Sequence, residues 1–530
     1  MTFIFSLVYL TGNAKTKPVK KKELEMKKKS ILSLGLLSLF SLGLAAHSHP
    51  AQADDKDIEV IASFYPMYEF TKQVVGDEGN VSLLIKAGTE AHDFEPSTKD
   101  ISKIQKADAF VYDDDNMETW VPKVKKSLDN KGENFIKATG DMLLMGGGGH
   151  DHDHDHDEEG HTHEFDPHVW LSPERSQILV TNIANDLSEK FPEKADTFKK
   201  NAENYNKKLS DLDKKYRDAL TDAKQKSFVT QHSAFGYLAL DYGLNQVPIT
   251  GVSAEAEPSA KRLAQLSKYV KKYDINYIYF EENASSKVSK TLADEVGVKT
   301  AVLNPLESLT SKQMKKGENY ITVMEKNLKA LQKTTDKAGK DIEPEKGVEK
   351  TVYNGYFKDS QIKDRKLSDW TGKWQSVYPL LQDGTLDEVF DYKSKKNPEM
   401  SAKEYKDYYT TGYKTDVEQI NIDGKKMTME FIQNGESHKY KYKYVGYEIL
   451  NYEKGNRGVR FLFETDDKDA GQFKYVQFSD HDIRPNKAGH FHIYFGGESQ
   501  EALIEELENW PTYYPTDLSG HEVAQEMLAH

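Results

Sequence analysis

Between Ile58 and about Lys333, short apolar runs alternate with stretches whose apolar residues recur every three or four positions. The runs IEVIASF, VSLLIKAG and DAFVYDD predict strands. YPMYEFTKQVVG, ending at Gly76, and PSTKDISKIQKA predict the helices between them. The same alternation returns further on. KSFVTQ, QVPITGVS, INYIYFEE and VKTAVLN predict strands, and AFGYLALDYG, EPSAKRLAQLSKYVKKY and SSKVSKTLADEVG predict helices. Strands alternating with helices imply parallel sheets covered by helices. The pattern therefore predicts two α/β lobes.

Between the lobes, after Pro192, Ala195, Phe198, Ala202, Tyr205, Leu209, Leu212, Tyr216 and Leu220 form one continuous stripe at helical spacing. This predicts a single long helix, a rigid strut packed along both lobes. Residues 336–350 fall in a stretch, KTTDKAGKDIEPEKGVEKTV, that has charge, Gly and Pro but no periodicity, and they read as a linker. Beyond the linker the period falls to two. HKYKYKYVGYEILNY sets Tyr440, Tyr442 and Tyr444 on one face and Lys439, Lys441 and Lys443 on the other. GVRFLFET, FKYVQFSD and HFHIYFGG continue the alternation, so the region reads as a closed antiparallel β-barrel with short helices added. The predicted organisation is a two-lobed α/β domain with a bridging helix over 54–335, the linker, and an antiparallel barrel domain over 351–530.

Composition narrows the function. The 530 residues carry a net charge of −14, against the basic surface that nucleic acid requires. A mean hydropathy of −0.74 is far too polar for a multi-span membrane protein. Three lysines, Lys27 to Lys29, precede the 16-residue apolar run from Ile31 to Ala46 and an Ala-Gln-Ala sequence ending at Ala53. This is the pattern of a secretory signal cleaved after Ala53, with Met26 as an alternative start. The run is shorter than the roughly 20 residues that span a bilayer. Cysteine is absent. Disulfides, thiolate zinc sites, cysteine nucleophiles and lipidation of an N-terminal Cys are thereby excluded, and any metal site must be built from His, Asp or Glu.

Four residues of the first domain draw attention: His92 in GTEAHDFEPS, His168 in FDPHVWLSP, His232 in VTQHSAFGYLA and Glu307 in VLNPLESL. Most follow predicted strands closely, on the carboxyl edge where open α/β sheets bind ligands. Four converging N/O donors would make a closed tetrahedral zinc site. Spacing alone does not separate ligands from capped loop histidines. These segments, with the strut helix, resemble the zinc-specific cluster of ABC-transporter substrate-binding proteins, of the ZnuA and AdcA type, over about residues 58–333. The resemblance implies two lobes bridged by the helix and one metal ion in the cleft. It maps the three histidine ligands onto His92, His168 and His232, and the acidic fourth onto Glu307. Glu281 and Glu282 in YFEEN are rivals for that fourth place. Imidazole at the third position favours Zn²⁺ over harder ions.

The second domain carries FSDHDIRPNKAGHFHIYFGG. His490 and His492 alternate on a strand and so share a face. The loop through Pro485 and Gly489 returns the chain so that His481 lies alongside. Three imidazoles there would hold zinc and leave a fourth position open. The region from about Val352 resembles ZinT, a zinc-binding protein with a lipocalin-like (calycin) barrel, and His481, His490 and His492 reproduce its His-x8-His-x-His pattern. A ZnuA-like domain followed by a ZinT-like one is the order of AdcA-type zinc receptors of Gram-positive bacteria. The resemblance implies an extracellular receptor that passes Zn²⁺ to the permease and ATPase of an importer. Those receptors are usually tethered through a lipidated Cys, which this sequence lacks.

Two rival functions belong beside that reading. A three-His site with an open position would suit a zinc-dependent hydrolase, but no motif places a general base. A surface metal buffer or adhesin would store metal without a transporter. The run GGGGHDHDHDHDEEGHTH, with six histidines from His150 to His163, has no means of burying a core. It reads as a loop (146–163) that binds zinc weakly beside the tight site, rather than as the site itself.

Overall fold

The computed structural model describes residues 57–89, 91–128, 132–146, 165–250, 260–281, 287–338, 352–452 and 455–529. The signal region 1–53, all but Gly146 of the His-rich run, most of the linker and Glu282 lie outside them.

The first lobe is a parallel sheet of β1 (Ile58–Ala62), β2 (Gly79–Leu83), β3 (Ala109–Tyr112) and β4 (Phe135–Lys137) in the order β2-β1-β3-β4. The second lobe repeats that order. Its strands β5 (Ser227–Thr230), β6 (Asn245–Pro248), β7 (Tyr277–Phe280) and β8 (Lys299–Val302) are arranged β6-β5-β7-β8, again all parallel. In each sheet the chain winds both ways from a central strand, which opens a crevice at the carboxyl ends.

The bridging helix runs from Ala195 to Leu220, about 39 Å at 1.5 Å per residue. From Phe198 onward every residue of its predicted stripe is buried. Each such aromatic or leucine side chain contributes roughly 1.5–3 kcal/mol by leaving water. The stripe packs against the helix Tyr65–Val75 of the first lobe and the helix Tyr320–Thr335 beyond the second. Asn201 donates to the carbonyl of Val74 (3.0 Å) and Tyr216 to that of Met324 (2.7 Å), so both lobes are pinned to one rod. Its most extensive partner is a helix the periodicity left unassigned, Pro173–Lys190. That helix starts with Ser172 as N-cap, its hydroxyl accepting from the Arg175 amide, and Pro173 in the first turn.

The second domain is a nine-stranded antiparallel sheet: β9 (Gly372–Ser376), β10 (Val417–Asp423), β11 (Thr428–Gln433), β12 (Glu436–Lys441), β13 (Lys443–Asn451), β14 (Arg457–Glu464), β15 (Tyr475–Ser479), β16 (Phe491–Gly496) and β17 (Thr512–Pro515). The order is β12-β11-β10-β9-β17-β16-β15-β14-β13. The tyrosine and lysine alternation thus spans two strands, not one. They are the two edges of the sheet, consecutive through the buried Tyr442, which makes the barrel a half-barrel joined along the chain at that point. Tyr440, Tyr442 and Tyr444 turn inward and the three lysines outward, as the period-two pattern requires. The interior is aromatic, with Trp370 stacked on Phe478 at 4.7 Å and the Arg365 guanidinium 4.1 Å over the Trp370 ring.

Candidate metal centres

His92 lies on the loop after β2, His232 two residues after β5 and Glu307 five residues after β8. His168 caps a short 3-10 turn, Val169–Leu171, that leads into the helix Pro173–Lys190. The four side chains meet. The Nε2 atom of His168 stands 3.1 Å from that of His92 and 3.3 Å from that of His232. One oxygen of Glu307, Oε1, is 3.3 Å from His232 Nε2, 3.5 Å from His168 Nε2 and 3.6 Å from His92 Nε2. Ligands about 2.05 Å from a common centre occupy a tetrahedron with edges of about 3.3 Å. The five separations above, 3.1–3.6 Å, bracket that edge.

The set is held from outside. The peptide N–H and the Nδ1 of His168 both donate to Asp166 Oδ1, at 3.0 and 2.7 Å. The Nδ1 of His232 is bonded to Glu281. Each contact fixes the tautomer that leaves Nε2 free for metal. Glu281 is thus spent on His232 Nδ1, whereas Glu307 faces the three Nε2 atoms in a group that could hold a metal ion. Glu307 follows Leu306, a non-glycine residue at φ 59°. That left-handed turn costs roughly 1–3 kcal/mol. It is held by Asn304, whose side chain accepts from the Leu306 N–H (2.8 Å) and whose backbone is bonded twice by Asn327. Trp170 ties the two ligand segments together, its indole donating to the Pro305 carbonyl at 2.8 Å.

Burial and charge oppose each other in this site. His168 and His232 are fully buried and Glu307 is 6% exposed. Burial disfavours the charged form of every member. At Glu307 the three imidazoles outweigh it and hold the carboxyl well below the ordinary range. At His232 burial is outweighed by Glu281 first and Glu307 next, which push the imidazole up to about 10. At His168 burial is outweighed by Asp166 and then Glu307, and the pKa is raised. Three imidazole nitrogens facing one buried carboxylate make a donor set that could hold a divalent cation.

In the second domain the centroids of His481, His490 and His492 form a near-equilateral triangle with sides of 5.7, 5.8 and 5.9 Å. One ring nitrogen from each falls in a single cluster of metal-ligating geometry. His492 lies on β16 opposite Ser479 of β15, His490 one residue ahead of β16, and His481 two residues beyond β15. The hairpin reading from sequence holds, with two of the three on the connection rather than within strands. His481 adopts φ 67°. It is stacked under Tyr353 at 4.7 Å, and the loop beside it is anchored by Arg365, which donates to Asp480 Oδ1 (2.5 Å) and to the Asn486 carbonyl (2.7 Å). His490 stacks on Tyr514 at 5.1 Å. His492 Nδ1 meets Thr512 Oγ1 at 2.7 Å, and burial lowers its pKa to about 3, so the ring is neutral and could donate to a metal. This site is more open than the first, with His481 exposed.

Asp166, Thr512 and Arg365 escaped the sequence reading. Only Asp166 had a local signal, the Asp-Pro-His spacing that returns a carboxylate to the histidine two residues on. The other two reach their partners across strands.

Two family models match the chain. The zinc-uptake complex component A, periplasmic, matches residues 60–334. The ZinT (YodA) periplasmic lipocalin-like zinc-recruitment model matches residues 348–530. The chain is 64% identical over 516 residues to the zinc-binding protein AdcA of Streptococcus pyogenes serotype M6, covering 95% of this chain and 100% of that protein. It is 64% identical over 501 residues to the zinc-binding lipoprotein AdcA of Streptococcus pneumoniae strain R6, covering 94% and 99%. The crystal structure of Zn(II)-bound AdcA from Streptococcus pneumoniae matches with a TM-score of 0.80 at 63% identity, covering 90% of this chain and all of that one.

Proposed function

The chain belongs to the AdcA family of zinc-binding proteins, a ZnuA-like module followed by a ZinT-like one, and from that premise we propose how its residues capture the ion. It is a zinc receptor for uptake through an ABC transporter. His92, His168, His232 and Glu307 hold the transported Zn²⁺ in the cleft. The observation that carries this is Glu307 Oε1, a buried oxygen that accepts no hydrogen bond yet faces three imidazole nitrogens at 3.3–3.6 Å. A buried carboxylate so placed needs a positive partner, which Zn²⁺ supplies when bound and protonated His232 supplies in its absence. His481, His490 and His492 hold a second, more accessible zinc ion on the half-barrel. The modules meet at the linker 336–350, and residues 1–53 form an export signal.

The protein acts by capture, not catalysis, and its partners are the permease and ATPase of an importer. Loaded and empty clefts differ at the loops after β2, β5 and β8, the surface a permease would read. It works at the extracellular face. Its association with the membrane runs through the transporter. Among the described residues no helix is long and apolar enough to cross a membrane.

Metal analysis of the purified chain tests the assignment. Two tightly held zinc ions are expected, with one lost in the His92→Ala/His168→Ala variant and the other in His490→Ala/His492→Ala. Two ions retained by the first variant would refute the cleft site. Impaired growth of a deletion strain in chelated medium, restored by added zinc, separates a receptor from a buffer or adhesin.

A further inference from the structure

The two domains share a seam, and it touches the segments that carry His168 and His232. The helix Gly236–Asp241, which follows His232, packs against the helix Asp387–Lys396 of the second domain. Its last residue, Asp241, has a side chain with no exposed surface. That carboxylate accepts from Ser172 Oγ at 2.7 Å, from Arg175 Nε and Nη2 at 2.8 and 3.1 Å, and from Lys395 Nζ of the second domain at 3.2 Å. Ser172 and Arg175 stand just beyond His168. One buried carboxylate therefore joins the two histidine segments to each other and to the half-barrel.

A second connection runs beside it. Leu143, from the first domain, is buried in the apolar cluster of Val389, Phe390 and Val523. The next residue, Leu144, is bonded on both sides by Gln525, its N–H donating to Oε1 at 2.8 Å and its carbonyl accepting from Nε2 at 2.7 Å. Met145 then donates its N–H to the Tyr237 hydroxyl (2.8 Å), which donates to the Asp166 carbonyl (2.6 Å). Asp166 holds His168. The Arg175 guanidinium lies 4.8 Å over the Tyr237 ring, closing the two connections into one network.

We propose that the half-barrel docks through Lys395, Gln525 and the Leu143 pocket onto the segments bearing His168 and His232, and that this docking slows zinc release from the cleft. Lys395 is then a positioning residue for a site in the other domain. A charge pair whose carboxylate is fully buried has strict geometry, because the carboxylate has no water to turn to. A main-chain segment bonded at both its N–H and its C=O by one amide is likewise fixed in register. The second module contributes stiffness to the first site in addition to its own metal ligands. This inference rests on the cleft ligands proposed above.

The test uses the full chain carrying His490→Ala and His492→Ala, so that only the cleft ion is present. Zinc release to excess chelator is timed in that reference and after adding Lys395→Met, Gln525→Leu or Lys395→Arg. Lys395→Met and Gln525→Leu, each read separately, are expected to speed release about threefold to tenfold. Lys395→Arg, which keeps the charge, should restore the reference rate. Unchanged rates in both Lys395→Met and Gln525→Leu would overturn the coupling while leaving the site intact. A reference chain that binds no zinc would overturn the site and the coupling together.

Discussion

Asp166 accepts from the Nδ1 of His168 at 2.7 Å, and its own carbonyl is held by Tyr237, so the histidine in the centre of the first site is aimed by a group two residues before it. Three of the four groups are held from outside. Asp166 orients His168, Glu281 orients His232, and the Asn304–Asn327 pair holds the turn that presents Glu307.

Asp166→Asn keeps the shape and removes the charge that favours an Nδ1 proton. Outer partners of this kind are worth 10–100-fold in metal affinity. Chelator competition on the variant should show a loss in that range at the cleft ion alone.

Zinc must displace protons here. Glu281 and Glu307 push the buried His232 imidazole up to about 10, so in the metal-free cleft it keeps its proton at neutral pH; His168 is shifted in the same direction by Asp166. That proton stabilises the empty fold fully below the ordinary histidine value near 6.5, and the benefit is lost as pH rises through about 10. Metal needs the neutral ring. Calorimetry of zinc binding at pH 7, in two buffers of different ionisation enthalpy, should report release of at least one proton. Affinity should fall steadily as pH drops below about 10, where protons begin to compete for His232. No release would contradict the assignment.

Asp113, directly after β3, is fully buried and neither carboxylate oxygen accepts a hydrogen bond. Burial, then Glu118, holds its pKa well above the ordinary value, and burial raises that of Glu118 to about 8. Between about pH 4 and 8 the folded chain therefore holds protons that the unfolded chain has shed, so stability falls as pH rises through that window. Asp113→Asn removes one of these acids. Its melting temperature should gain on wild type at pH 8 by more than at pH 5.

In the half-barrel, Thr512 donates its hydroxyl to the Trp510 carbonyl and is left to accept from His492 Nδ1. Thr512→Val abolishes that acceptor. The second zinc ion should bind about tenfold more weakly, read by competition in the His92→Ala/His168→Ala background, with cleft binding unchanged in the otherwise native chain.

Periodicity along the chain was enough to lay out both domains. Strands β1, β3, β5, β7 and β8, the bridging helix with its buried stripe, and the inward tyrosines of β12 and β13 all follow from local spacing of apolar residues. The helix Pro173–Lys190 went unassigned although Ser172 and Pro173 mark its start and Leu179, Val180, Ile183, Ala184 and Leu187 keep helical spacing on one buried face. The seven candidate ligands stood out as residue types in characteristic segments, each visible one at a time. What sequence could not decide was choice among equals: Glu307 over Glu281, 26 residues apart and both buried carboxylates after strands. Only the folded chain separates them, because a tetrahedron has one vacant corner and the His232 ring has two nitrogens. Long-range partners such as Thr512, Arg365 and Lys395 were invisible for the same reason. Local sequence dictates which way a segment bends and which face it hides, whereas the distance between atoms far apart in the chain is set by how the faces pack.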